Sequence, residues 1–459
     1  MITEKEKIIE TENTESAETA ETTDTAVTEE KHSSENSFDT GLAAYKSIYA
    51  EFVKWLAVAI IVGIFVGIAG AAFHHALDFA TEFRTEHPIV MLGLPVAGLI
   101  IVFLYNICGM KDDKGTNSVI LEARGNKNVS ILLAPLIFTA TFLTHLCGGS
   151  AGREGAALQM GASIASPLRK LLKLDPKDSA ELAMCGMAAG FSALFGTPIA
   201  AAVFAMEVTI VGAAQYTAIV PCILSAVTAT ITAGIFGVTP TAFNVLNVPA
   251  FSENGAVTLL KVLLLGILCA LVSILFCEAM HIAGKLYQKY IKNPYLRVLA
   301  GSAIVLLLTL ILGTYDYNGA GMNVIERAFA GEAFPLAFLI KILLTALTLG
   351  AGFKGGEIVP SFFVGATLGC AASHLIGLDP SFGAAVGLLA VFCGVTNCPL
   401  ATIILGIELF GAQGLVFYAA AIAVSYMLSG YQGLYSAQVF YLSKSRLEWS
   451  HKAVRDHTK

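Results

Sequence analysis

Long apolar stretches, separated by short polar or glycine-rich breaks, recur along the chain from residue 52 to residue 430. Several reach the ~20 residues that an α-helix needs to cross the hydrocarbon core of a bilayer. Others are shorter or interrupted by glycine, and such backbone is tolerated at membrane depth only where protein or a water-filled cavity surrounds it. We therefore predict an all-α, polytopic membrane protein with broken helices, whose apolar stretches lie near 52–80, 89–108, 131–147, 156–171, 181–212, 216–238, 257–283, 296–313, 334–351, 360–377, 382–395, 398–411 and 414–430.

Composition supports a membrane location. The chain is 56% hydrophobic and 14% charged, whereas soluble domains carry about 25% charged residues. Residues 1–40 hold 12 acidic residues and three lysines, a net charge of −9, so the remainder carries +3 of the total −6. That first segment has few large apolar residues. We predict a disordered acidic cytoplasmic tail over residues 1–45.

Basic residues predict the orientation. Lysine and arginine cluster at Lys285, Lys289, Lys292 and Arg297, and again in the last 19 residues of the chain. Cytoplasmic loops of membrane proteins are enriched in these residues. We expect the 285–297 loop and both termini to be cytoplasmic, residues 441–459 to form a short tail, and the protein to lie in the cytoplasmic membrane.

The two halves of the chain resemble each other. Two Pro-initiated apolar runs end in glutamate, and their prolines (198 and 399) and glutamates (207 and 408) are both 201 residues apart. Two glycine-rich loops carry glutamates at 154 and 357, which are 203 residues apart. Such spacing predicts repeats over about 46–240 and 250–440. Transporter repeats with broken helices at matching positions point to the substrate site.

The first glycine-rich loop, Gly148-Gly-Ser-Ala-Gly-Arg-Glu-Gly155, precedes a helix predicted to start at about Ala156. A helix N-terminus exposes unpaired amides, such as that of Gly155, and glycines let an anion approach them closely. Glu154 would occupy the place of an anion, or take a proton and leave it. The alternative is a structural Glu154 paired with Arg153; Arg153 itself could steer anions or pair with a carboxylate or carbonyl.

Three further positions carry candidate chemistry. Glu357 lies in Gly352-Phe-Lys-Gly-Gly-Glu-Ile-Val-Pro360, where the same argument applies and pairing with Lys354 is the alternative. Asn117 either caps a helix, which its sequence favours, or offers its amide to an anion. Tyr435 ends the last apolar segment, where tyrosine usually serves as an interfacial anchor.

The Gly-Arg-Glu-Gly loop, the Gly-Thr-Pro and Asn-Cys-Pro helix starts, the Gly-Gly-x-x-x-Pro loop and the final Leu-Tyr-Ser resemble the CLC anion-transport family over residues 50–440. The resemblance implies an inverted-repeat fold and a homodimer with one pathway per subunit. It also implies that Glu154 is the gating glutamate, that Tyr435 belongs to the central anion site, and that the amides of Ile358 and Val359 bind the anion.

Some positions depart from the chloride-selective pattern. Asn117 lies near the position of a chloride-binding serine, Glu357 enters the second loop, and Val208 replaces a glutamate of the inner proton route. These departures resemble the fluoride-exporting branch of the family, although that branch commonly has threonine at the position of Val359. An asparagine amide supplies two N–H donors where serine supplies one O–H donor, which suits a strongly hydrated anion such as fluoride.

We therefore expect proton-coupled export of a halide, with fluoride favoured by the motif pattern, and no cofactor. The partners would be the halide, protons, lipid and a second copy of the chain, with no nucleic acid. A chloride channel or a chloride/proton antiporter is the alternative. Ser150 lies in a formal G-x-S-x-G pattern, so an intramembrane serine hydrolase is a remote third possibility.

Overall fold

The computed structural model describes residues 3–125, 129–250, 255–444 and 449–453, with side chains from residue 45 to residue 444. The helices are α1 (Thr3–Glu86), α2 (Leu94–Ile107), α3 (Thr116–Ala123), α4 (Leu133–Leu146), α5 (Glu154–Ala165), α6 (Leu168–Leu171), α7 (Ser179–Phe195), α8 (Pro198–Glu207), α9 (Ile219–Ile235), α10 (Gly255–Tyr290), α11 (Pro294–Leu312), α12 (Met322–Phe329), α13 (Ala337–Ala351), α14 (Ile358–Ile376), α15 (Pro380–Thr396), α16 (Pro399–Phe410) and α17 (Leu415–Leu428). The all-α prediction is confirmed.

The chain divides into two compact units, Met1–Ala57 and Val58–Lys459, and the second holds every residue of the candidate site. The side chains of residues 1–44 lie outside the described part of the chain. The disordered acidic tail predicted for residues 1–45 therefore stays a prediction, although the backbone of α1 is helical from Thr3.

Six described segments are long and apolar enough to cross a membrane: Tyr45–Glu86, Pro88–Ile107, Tyr216–Ile235, Gly255–Tyr290, Pro294–Leu312 and Ile358–Ile376. The last segment differs from the others because 83% of its most apolar 18-residue stretch is buried within the protein, whereas the corresponding share in the other five is 28–50%. The apolar run 181–212 contains two helices, in agreement with the helix start predicted at Pro198. It is broken at Gly196, which has φ +73° and separates α7 from α8. Glycine adopts such a conformation without strain, so the chain ends one helix there and starts the next at Pro198.

Equivalent helices of the two halves pack through glycine. In the first half, α5 lies against α7, and a Cβ added to Gly186 would come within 2.4 Å of the Gly161 carbonyl oxygen. In the second half, α14 lies against α15, and a Cβ added to Gly387 would come within 2.2 Å of the Gly365 oxygen. Small residues allow this close backbone approach between membrane helices. The same contact in both halves supports the predicted repeat.

Two glutamates connect the halves in a reciprocal manner. The Glu207 carboxylate, at the end of α8, accepts hydrogen bonds from the amides of Leu400 (3.2 Å) and Ala401 (2.8 Å) in the first turn of α16. The Glu408 carboxylate, in the last turn of α16, accepts from the amides of Ile199 (3.0 Å) and Ala200 (2.8 Å) in the first turn of α8. Each half thus supplies the anionic cap for a helix of the other half.

A small sheet follows the last helix. Strand β2 (Val439–Leu442) pairs in parallel with β1 (Ile210–Val211), directly after α8, and antiparallel with β3 (Trp449–Ala453). The segment that carries Tyr435 is therefore fixed at its C-terminal side by β2.

Candidate functional site

The two glycine-rich loops of the repeats meet inside the protein. The Gly152 amide donates to the Gly356 carbonyl and the Gly356 amide donates to the Gly152 carbonyl, both at 2.7 Å. A Cβ added to Gly356 would lie 2.6 Å from the Gly155 nitrogen, so only glycine fits there. The paired loops bring the N-termini of α5 and α14 side by side, and unpaired amides of both helices are concentrated at this junction.

Glu154 is the first residue of α5 and is fully buried. Its carboxylate accepts from the Arg153 backbone amide at 3.1 Å and from Arg153 Nε at 3.4 Å. Arg153 Nη1 lies 3.1 Å from His74 Nδ1 and 3.3 Å from Asp78 Oδ1. The predicted pair with Arg153 exists, and it holds the carboxylate beside the helix N-terminus that an anion would use.

Glu357 immediately precedes α14, and its Oε2 is buried without a hydrogen-bond partner among the described residues. A Cβ added to Gly155 would lie 3.5 Å from that oxygen, so Glu357 reaches the start of α5. The alternative pairing of Glu357 with Lys354 is wrong. Lys354 Nζ instead lies 3.3 Å from Asp113 Oδ2 and 4.4 Å from the centre of the Tyr105 ring.

Asn117 does not cap α3, so that interpretation of the sequence is wrong. Gly115 is the N-cap residue and there is no side-chain capping bond. The Asn117 carboxamide oxygen accepts from the Ala437 amide at 2.8 Å, while its nitrogen has only a long contact of 3.5 Å to the Lys114 carbonyl. This geometry leaves one N–H of the Asn117 amide for a ligand.

Tyr435 is 2% exposed, and its hydroxyl has no hydrogen-bond partner among the described residues. It is therefore a buried residue and not an interfacial anchor. The Asn117–Ala437 hydrogen bond fixes the backbone two residues beyond Tyr435. A buried hydroxyl without a partner is costly unless a ligand or water satisfies it.

Ile358 and Val359 form the first turn of α14 and are fully buried. The first intrahelical bond at this end is donated by Ser361 to the Glu357 carbonyl. The amides of Ile358 and Val359 precede that bond, as do those of Glu154 and Gly155 in α5, whose first bond is donated by Ala157.

Two cavities flank the paired loops. One, of about 550 Å³, is lined by Asn117, Lys354 and Glu357 together with Lys292 and Arg297; we call it the Lys354 cavity. The other, of about 650 Å³, is lined by residues that include Arg84 and Arg153; we call it the Arg84 cavity.

The two cavities lie at opposite ends of α11. Arg297 in its first turn lines the Lys354 cavity, and Gly313 directly after it lines the Arg84 cavity. A 19-residue helix is about 28 Å long, close to the thickness of a bilayer core. Each cavity is lined by a residue of one of the paired loops: Arg153, which holds Glu154, lines the Arg84 cavity, and Glu357 lines the Lys354 cavity.

The hydrolase possibility lacks its machinery. Ser150 is fully buried and its Oγ lies 3.0 Å from Thr345 Oγ1, and no histidine or acid in the described part of the chain is bonded to it. Nor do the described residues contain a group of three His, Cys, Asp or Glu side chains that could hold a metal ion.

Sequence reasoning missed the buried cations Arg84 and Lys341. Lys341 is fully buried in α13, within the predicted apolar run 334–351. A single lysine in such a run is itself a signal, because ionisable residues inside membranes are costly and usually functional. Arg84 gave no comparable signal, since it lies among polar residues near the end of α1.

Comparison with known proteins adds independent information. A family model described as "Voltage gated chloride channel" matches residues 97–430. The "Chloride/fluoride channel protein" of Pseudomonas syringae is 37% identical over 395 residues, covering 84% of this chain and 86% of the relative. The "H(+)/Cl(-) exchange transporter ClcA" of Vibrio cholerae is 26% identical over 387 residues, covering 77% and 81%.

Solved structures agree on the fold. A crystal structure of a CLC-type fluoride/proton antiporter superposes with a TM-score of 0.82 at 33% identity, covering 85% of this chain and 99% of that one. A slow cyanobacterial Cl⁻/H⁺ antiporter superposes with a TM-score of 0.72 at 20% identity, covering 82% and 94%. The predicted CLC-type fold is confirmed.

Proposed function

Because the chain belongs to the CLC family of anion transporters and channels, whose members are not enzymes, we propose that it exports fluoride in exchange for protons, with Glu154 as the gate. One observation carries the proposal. The N-termini of α5 and α14 are bonded together through Gly152 and Gly356, with a carboxylate beside each helix start.

Glu154 supports coupling because of where its carboxylate lies. An anion on the path needs the α5 N-terminus, and the ionised Glu154 occupies it. The two anions exclude each other, so the path opens when the carboxylate takes a proton and swings away. One proton movement then accompanies each opening of the gate, which is the requirement for exchange.

Asn117 and Glu357 support fluoride. Fluoride holds its water tightly, so a site that strips this water must replace it with several short-range donors. The remaining N–H of the Asn117 amide, the Tyr435 hydroxyl and a protonated Glu357 can supply them. The antiporter structure is named for fluoride, and the Pseudomonas relative is named for both chloride and fluoride, so fluoride is the anion that the two names share.

Chloride/proton exchange is the second candidate. Val359 supports it, because this apolar side chain occupies the position where the resemblance to the fluoride branch leads us to expect threonine. The Vibrio relative, named for chloride exchange, aligns over 77% of this chain.

Anion flux from liposomes that contain the purified protein tests these proposals. Fluoride and chloride release would be followed with ion-selective electrodes while external pH is recorded. We expect fluoride efflux with proton uptake into the vesicles. Faster chloride than fluoride release would refute the fluoride assignment, and fluoride release without proton movement would refute exchange.

We further propose that the protein works as a homodimer in the cytoplasmic membrane, with both termini and the Lys354 cavity on the cytoplasmic side. The basic residues Lys292 and Arg297 at that cavity support this orientation. Cysteines introduced at exposed positions of either cavity and labelled with a membrane-impermeant thiol reagent in intact cells would test it. Labelling of cysteines at the Lys354 cavity would show that this cavity faces the outside of the cell and would refute the proposed orientation.

A further inference from the structure

The Arg84 cavity contains an unusual concentration of buried positive charge. Arg84, near the end of α1, is 8% exposed, and the His145 carbonyl is its one hydrogen-bond acceptor among the described residues. A guanidinium group has five N–H donors. Most of the donors of Arg84 are therefore left for a partner that the described residues do not supply.

A second cation lies directly behind Arg84. Lys341 Nζ is fully buried and donates to the carbonyls of Tyr317 (3.1 Å) and Gly319 (2.7 Å). Arg84 packs against the same peptide, since a Cβ added to Gly319 would lie 2.9 Å from Arg84 Nη1. Within the described part of the chain, neither cation has a carboxylate partner at salt-bridge distance.

The acidic residues at the cavity do not neutralise these cations. Asp78 is bonded to Arg153 at 3.3 Å and to His74 at 3.0 Å. Asp316 is bonded to Arg327 at 2.5 Å. The remaining acid, Glu82, is exposed at the rim. Burying unpaired charge is costly, so two neighbouring buried cations favour an anion between them and the solvent.

Two orphan acceptors indicate what surrounds such an anion. His145 and Asn318 both line the cavity and are 2% exposed. His145 Nε2 and Asn318 Oδ1 have no hydrogen-bond partner among the described residues. Because His145 Nδ1 lies 2.9 Å from the Thr141 carbonyl, Nδ1 carries the hydrogen and Nε2 is an acceptor. Acceptors of this kind suit water molecules that also donate to an anion.

We propose that Arg84, with Lys341 behind it, binds a small, partly hydrated halide in the Arg84 cavity, at a site separate from the path between Glu154 and Glu357. The halide accepts hydrogen bonds from the free N–H groups of Arg84, and its remaining waters donate to His145 and Asn318. That the ligand is a halide rests on the proposed transport function; the preference for a small inorganic anion rests on the cations alone.

The position of the site also connects it to the gate. The Gly319 amide donates to the Gly149 carbonyl at 3.1 Å, the Ala151 amide donates to the Gly319 carbonyl at 3.3 Å, and Asn318 Nδ2 donates to the Gly148 carbonyl at 2.8 Å. The peptide that both cations contact is therefore bonded to the loop that leads into Glu154. Under the proposed orientation, the site would bind the halide on the external side of the gate.

Bromide, which scatters anomalously, allows the site to be observed directly. Crystals of the full-length protein grown in bromide should show an anomalous peak within hydrogen-bond distance of an Arg84 Nη atom. In isothermal titration calorimetry of the detergent-solubilised protein, Arg84→Gln should remove one class of halide sites or weaken it at least tenfold. Arg84→Lys is the matched control, because it keeps the charge and should retain binding.

Different outcomes separate this proposal from the transport function. A bromide peak beside Asn117 with none at Arg84 would refute the proposed halide site in the Arg84 cavity and leave the proposed transport path unaffected. A bromide peak at Arg84 in a protein that transports no fluoride would support the site in the Arg84 cavity and refute the fluoride assignment. If Arg84→Gln does not fold, the bromide map of the unchanged protein still decides. Equal halide stoichiometry and affinity in unchanged protein and a folded Arg84→Gln would also overturn the proposal.

Discussion

Replacing Glu207 by alanine tests the reciprocal caps that join the two halves. The substitution removes the acceptor of two amides, those of Leu400 and Ala401, at the start of α16. Leaving a buried donor unsatisfied costs about 1–3 kcal/mol. We therefore expect the free energy of unfolding to fall by about 2–6 kcal/mol in Glu207→Ala. Glu207→Gln keeps one acceptor oxygen and should lose about half as much.

Reversible unfolding in mixed micelles, titrated with sodium dodecyl sulfate and followed by far-UV circular dichroism, measures this difference. Glu326→Ala is the control, because Glu326 is an exposed glutamate on α12 and its loss should stay within about 0.5 kcal/mol. Glu408→Ala should lose less than Glu207→Ala, because Glu408 is only half-buried and its hydrogen bond from the Ile199 amide is exposed. A Glu207→Ala protein as stable as the Glu326→Ala control would refute the capping argument.

Three other changes test the site. Glu154→Gln removes the group that carries the proton, so anion flux in liposomes should continue without a pH change; preserved coupling would place the gate elsewhere. Gly356→Ala places a Cβ 2.6 Å from the Gly155 nitrogen and should abolish transport or folding, as measured by flux and thermal-melt assays. Gly234→Ala is the control: a Cβ there has nothing within 4 Å, so this variant should be neutral in both assays. Val359→Thr adds a hydroxyl donor at the start of α14 and should raise the fluoride-to-chloride flux ratio. An unchanged ratio would show that the side chain at position 359 does not contact the anion.

Spacing along the sequence was enough to predict the repeat and to point to its two glycine-rich loops, whereas the bonding of the loops to each other is seen only in the structure. Glutamates 203 residues apart (154 and 357) lie in loops whose backbones are bonded at Gly152 and Gly356. The physical reason is that glycine-rich breaks between apolar runs have few places to go in a membrane. They must be buried in protein, and two such breaks from equivalent halves can satisfy each other.

Side-chain partners were much harder to predict, because they come from segments distant in sequence. Asn117 has the composition of a helix cap, but its oxygen binds the Ala437 amide, which is 320 residues away. Lys354 is three residues from Glu357 but pairs with Asp113, which is 241 residues away. Local chemistry favoured the near partner in each case, and tertiary packing supplied a different one. The roles of Glu154, Tyr435 and the α14 amides stay predictions until transport is measured.

The reciprocal caps also affect how the chain can be made. The amide of Ile199 binds Glu408, which lies 209 residues later in the chain. At about 5–20 residues per second, synthesis of that interval takes roughly 10–40 s. Until then the amides at the start of α8 lack the Glu408 carboxylate that caps them, and another anion or a chaperone could accept their hydrogen bonds instead. The first half cannot complete its own structure at the ribosome, so folding of this protein must finish after most of the chain has been inserted.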